Sequence, residues 1–91
     1  MEKDVLILIN AERAREIATD IRNKEISNCL SILMNEIREE AQKGGLCKVV
    51  YVKPTRPNGF FELLEKIFKE LGYSINYQGY EKGLKRYLIE W

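Results

Sequence analysis

The sequence predicts an α+β fold: a long N-terminal helix packed with a second helix on a small mixed sheet of three or four strands, in the order α-β-α-β-β. Three observations predict it. Apolar residues recur at helical spacing across 11–43 and again across 60–71. Three other short runs are rich in β-branched and aromatic residues. Glycine and proline cluster between these stretches, at Gly44-Gly45, in “PTRPNG”, at Gly72 and in “GYEKG”.

Asn10 is a good N-cap, and Glu12 places negative charge in the first turn, where the helix dipole favours it. The helical pattern runs from Ala11 to about Lys43, where the glycines stop it. A continuous helix of that length is roughly 50 Å long. Ile26, Leu30, Leu33, Met34, Ile37 and Ala41 form one apolar stripe. Ala14, Ile17, Ile21 and Ile32 fall on roughly the opposite side. Either the helix breaks near Asn23-Lys24, or it stays straight and serves both its own core and a partner subunit. “LCKVVYVK” reads as a strand from Leu46 to Lys53. “FFELLEKIFKELGY” reads as a helix from about Phe60 to Leu71, with Phe60, Leu63, Leu64, Ile67, Phe68 and Leu71 facing the core. “YSINYQ” alternates, with Tyr73, Ile75 and Tyr77 on one face, and so predicts a strand with one wet face. “GYEKG” reads as a turn. “LKRYLIEW” reads as the last strand, with Tyr87, Ile89 and Trp91 on one side. The first two strands and the helix between them predict a right-handed βαβ crossover.

At 91 residues the chain is expected to form one domain, 1–91, with 1–9 as an apolar arm or extra strand. The run Val5, Leu6, Ile7, Leu8 and Ile9 is unbroken. It is too short for a membrane span and lacks the basic lead of a secretory signal. Free thiols at Cys29 and Cys47 fit a cytoplasmic protein, and both are expected in or near the core. Net charge is +1, which argues against a strongly basic nucleic-acid binder. Histidine is absent, which excludes Ser-His and Cys-His nucleophile pairs. No glycine-rich phosphate loop is present, and neither a cofactor nor a metal is expected.

Four groups remain as candidates. In “KPTRPNG”, Lys53, Thr55, Arg56 and Asn58 lie between a strand end and a helix start, where α/β proteins bind anions. The plainer account is that Asn58 caps the helix and the charges only solvate the loop. Tyr80, Lys82, Lys85 and Arg86 interleave aromatic and basic residues as a nucleic-acid grip does. The plainer account is charge that keeps an edge strand from aggregating. Glu36, Glu39 and Glu40 read as a solvated face. Val5–Ile9 with Ala14, Ile17, Ile21 and Ile32 reads as an oligomer interface. A fourth strand of the chain's own sheet is the rival fate for the run.

The segments “NAERAREI”, “NEIREEAQKGG”, “KELGYSINYQ” and “LIEW” together resemble a group of small proteins encoded by tailed bacteriophages, generally of unknown function. Those chains share a capped long charged helix, a helix closing on “LGY”, and a last strand ending in tryptophan. The likeness covers nearly all of the chain after Asn10; “VLILI” and “PTRPNG” stand outside it. It implies a viral setting, in the host cytoplasm or the virion, and brings no activity with it. The expectation is a non-enzymatic, self-associating interaction protein, a homodimer or higher homo-oligomer, with a protein partner and no membrane. The alternatives are a small anion or nucleotide binder at 53–59 and a weak nucleic-acid module at 80–86.

Overall fold

A computed structural model describes residues 10–91, so the run Val5–Ile9 lies outside the described residues. The elements are α1 (Ala11–Gln42), β1 (Cys47–Val52), α2 (Phe60–Glu70), β2 (Ser74–Glu81) and β3 (Leu84–Glu90). This is the α+β order that the sequence predicts.

α1 is one unbroken helix of 32 residues, about 48 Å long; there is no break at Asn23-Lys24. Asn10 caps it, its side-chain oxygen accepting a hydrogen bond from the Arg13 N–H at 2.8 Å. Ile26, Cys29, Leu33 and Ile37 are its buried residues, with Leu30 and Met34 half-buried beside them. Ala41, which the pattern assigns to the same stripe, is exposed. Before Ile26 no residue of α1 is buried, so its first half carries no part of the core.

The sheet order is β1-β3-β2, and both ladders are antiparallel. The expected parallel crossover is therefore split: β3 lies between β1 and β2. Burial explains why β3 takes the centre. Tyr87 and Ile89 on its inner face are 1% and 0% exposed, and Leu84, Arg86 and Leu88 on its other face are half-buried. A strand buried in this way is most stable with a neighbour on each side. β2 and β3 join through the two-residue turn Lys82-Gly83, at φ 55 and 80, the type I′ geometry that matches strand twist. β2 thus extends to Glu81, past the start of the predicted “GYEKG” turn. Gly79, at φ 97, instead belongs to a bulge between Tyr77 and Tyr80, where two residues of β2 oppose Arg86 alone.

α1 and α2 cover one face of this sheet. Phe60, Leu64 and Phe68 of α2 are fully buried against Val50, Val52, Ile75, Tyr87 and Ile89. The other face carries Val49, Tyr51, Leu88, Arg86 and Glu81, none fully buried. An antiparallel sheet tolerates one such open face.

Candidate functional site

The open flank of α1 is a surface feature that the core does not use. Ala14, Ile17, Ala18 and Ile21 follow i, i+3, i+4, i+7 spacing and form one stripe. Ala14 and Ala18 are exposed, Ile17 is half-buried, and Ile21 is 50% exposed. Ile32, 62% exposed, continues the same flank into the second half of the helix. The flank is turned about 120° from the buried stripe rather than opposite to it. This places Ile32 beside the sheet, where it lines a cleft with Tyr51, Val52, Lys53 and Leu84. Among the described residues β1 has no strand neighbour on its outer side. The structure therefore brings together Ala14, Ile17, Ile21 and Ile32 on one flank. Sequence spacing misses Ala18, whose small side chain carries little hydrophobic signal, and it misses Tyr51 across the cleft.

The 53–59 loop is arranged differently from the expectation. Lys53 and Thr55 are exposed. Arg56 is half-buried and already paired: its Nη1 donates to Glu25 Oε1 at 2.9 Å, and its guanidinium lies 4.8 Å from the Phe60 ring centre. Asn58 is exposed and does not cap α2. The N-cap is Gly59, at φ 80, with no side-chain cap. The chain makes a turn there, with the Phe60 N–H donating to the Pro57 carbonyl at 3.1 Å. A left-handed residue at the cap favours glycine, so the asparagine signal is overridden. A Cβ at Gly59 would also lie 3.2 Å from Arg22 Nη1. Arg22, Arg56, Pro57 and Asn58 line one cleft with Thr19 and Ile21. The Nε atoms of both arginines are buried there without an acceptor among the described residues. Arg22 and Glu25 are the residues that sequence reasoning misses, because each lies beside residues more than thirty positions away.

The hairpin residues do not form one basic patch. Lys85 and Arg86 are adjacent in β3 and so project to opposite faces. Lys85 Nζ sits 3.6 Å from the Phe61 ring centre on the helix-covered face. Arg86 donates to Glu81 at 2.7 Å and to Gln78 at 2.9 Å on the open face. The adjacent Glu81 also accepts a hydrogen bond from the Tyr51 hydroxyl at 3.3 Å. Tyr80 is 62% exposed and packs edge-on to Tyr77, while Lys82 occupies the turn.

The remaining thiols, tyrosine and carboxylates divide by burial. Cys29 is buried, and that burial raises its thiol pKa above the ordinary value. Cys47 is exposed, contrary to expectation, because it opens the edge strand on the uncovered side. Tyr87 is pushed up to about 12 by burial, with Glu65 and Tyr77 adding to the effect. Glu39 is exposed, and Glu36 and Glu40 are half-buried, the Glu40 side chain folding over Gly45. Trp91 is half-buried edge-on to Tyr73, and its backbone N–H donates to the Leu46 carbonyl at 3.0 Å. Among the described residues no three metal-ligating side chains are grouped, and no helix is long and apolar enough to cross a membrane. Comparison with protein-family models, with curated proteins and with solved structures gave no match.

Proposed function

We propose that the protein is a non-enzymatic interaction module that self-associates, two copies pairing antiparallel through the first halves of their α1 helices. The observation that carries this reading is the self-complementarity of the stripe. A two-fold axis between Ile17 and Ala18 sets Ala14 of one copy against Ile21 of the other, and Ile17 against Ala18. Large side chains then face small ones along the seam, which lets two helices approach to the usual 8–10 Å. Without a second copy, this half of α1 has no core to serve. In the phage-type setting that the sequence resembles, such a module is a virion component or a host-directed accessory protein.

Sedimentation equilibrium of the full chain over a concentration series tests the reading. A dimer is expected. The Ile17→Asp, Ile21→Asp variant should sediment as a monomer with its sheet and α2 intact. A wild-type chain that is monomeric throughout, or a variant that still dimerises, refutes the proposal.

A small anion in the Arg22–Arg56 cleft is a second reading, favoured by the two unpartnered Nε atoms. A thermal-shift series with inorganic phosphate tests it, since ligand at about 100 times its dissociation constant adds about 2.7 kcal/mol. No shift refutes it.

A further inference from the structure

The length of α1 decides where Val5–Ile9 can go. Asn10 stands at the start of the helix. Ile26, the first buried residue, lies about 24 Å further along the axis at 1.5 Å per residue. The free edge of β1 is no nearer. Its Tyr51-Val52 end shares a cleft with Cys29, Ile32 and Leu33, the first of which lies about 28 Å along the axis from Asn10. An extended chain covers at most about 3.6 Å per residue, so Val5 reaches no more than about 18 Å from Asn10 and Ile9 only about 4 Å. On this reach, even a fully extended chain is too short to bring Val5 level with the β1 edge of the same copy.

The same geometry succeeds between two copies. With α1 helices antiparallel about Ile17 and Ala18, Asn10 of the second copy stands level with Glu25 of the first. Three residues of extended chain beyond it, about 10 Å, bring Ile7 of the second copy level with Ile32. Val5 then lies a little further on, alongside β1. That location is an exposed isoleucine on one side, an unpaired strand edge on the other, and a cleft of about 380 Å³ between them. Two of the devices that protect an edge are missing from β1: it contains no proline, and its ladder to β3 has no bulge, its one charge being the half-buried Lys48. An unbroken apolar run offers side chains to both faces of that edge, which an alternating strand would not.

We infer that the two copies exchange their N-terminal runs, Val5–Ile9 of each adding to the β1 edge of the other and covering Ile32, so that the fourth strand is supplied in trans. The inference rests on the self-association proposed above. The flank of α1 sets the two chains antiparallel, and the run closes the sheet.

Cysteine cross-linking between differently tagged full-length chains tests it, in a Cys47→Ser background that removes the exposed native thiol. One chain carries Leu6→Cys, Ile7→Cys or Leu8→Cys, a series that samples both faces of the run, and the other carries Tyr51→Cys. Neighbouring strands bring Cα atoms within the 4.4–6.8 Å that a disulfide needs. The expected result is a disulfide joining the two different tags for at least one member of the series. In parallel, Leu6→Asp with Leu8→Asp in the full chain should weaken dimerisation about tenfold and speed amide exchange along the outer edge of β1. A dimer without the cross-chain disulfide, or with β1 exchange unchanged in the charged variant, overturns the exchange and leaves self-association standing. A chain that is monomeric throughout overturns both.

Discussion

Arg56 and Glu25 should be energetically coupled, although one lies in a loop that reads as solvated and the other on a charged helix. Their ion pair is 2.9 Å long, with side-chain exposures of 21% and 36%. Fully exposed pairs contribute about 0.2–1 kcal/mol, and partial burial reduces the screening, so a coupling of about 1 kcal/mol is expected. The guanidinium also lies over Phe60, which is fully buried, adding about 0.5–1 kcal/mol through the ring face and the covering stem. Arg56→Ala should then cost about 2 kcal/mol, Glu25→Ala about 1 kcal/mol, and the double change about 2 kcal/mol rather than the additive sum. Urea denaturation at one fixed protein concentration measures all three, because a dimer's apparent stability depends on concentration. Lys53→Ala is the control: its side chain is exposed, and its change should stay within about 0.5 kcal/mol. Additive losses in the double variant, with a coupling under about 0.3 kcal/mol, would refute the reasoning. The guanidinium would then be held by solvent and not by Glu25.

Asn10→Ala removes the cap of a half-helix outside the core, so the loss of about 1 kcal/mol should appear as roughly fivefold faster amide exchange in the first turns, with the Ile26–Ile37 amides unaffected. Slowed or unchanged exchange there would mean the cap is not used. A thiol reagent should modify Cys47 quickly and Cys29 only on unfolding, because the second is buried with a raised pKa; two fast thiols per chain would contradict the packing. Tyr87 holds its proton up to about pH 12 when folded but releases it near 10.0 when unfolded. Its contribution is therefore intact below pH 10 and lost as pH rises through the folded value, a fall of about 2 kcal/mol by pH 12. Thermal melts across that window should show the loss, and Tyr87→Phe should flatten it; an equal slope in the variant would assign the titration to another group.

Much of the fold is legible in the sequence because the relevant forces are local. Asn10 caps where a short polar side chain precedes a helical pattern. Ile26, Leu33 and Ile37 are buried because their spacing matches one helical face, and Tyr87 and Ile89 because theirs matches one strand face. The flank of α1 is legible for the same reason, since Ala14, Ile17 and Ile21 share a face whatever surrounds them. Other features differ from their local signal where it meets a global constraint. Asn58 looks like a cap, but the loop must turn at Gly59 in a left-handed conformation to bring α2 over the sheet. “GYEKG” looks like a turn, but pairing to β3 extends β2 through a bulge to Glu81.

The sequence by itself determined the type and order of the elements from α1 to β3, because capping, alternation and helical periodicity act over a few residues and need no knowledge of the rest of the chain. Only the tertiary structure decided that β3 sits between β1 and β2, that Arg56 meets Glu25, and that Lys85 and Arg86 turn to different faces against different partners. It also decided that α1 is unbroken and runs on well before its first buried residue, Ile26. Each of these depends on which surfaces compete for burial once the elements meet, a comparison of free energies between segments distant in the chain that no local pattern records.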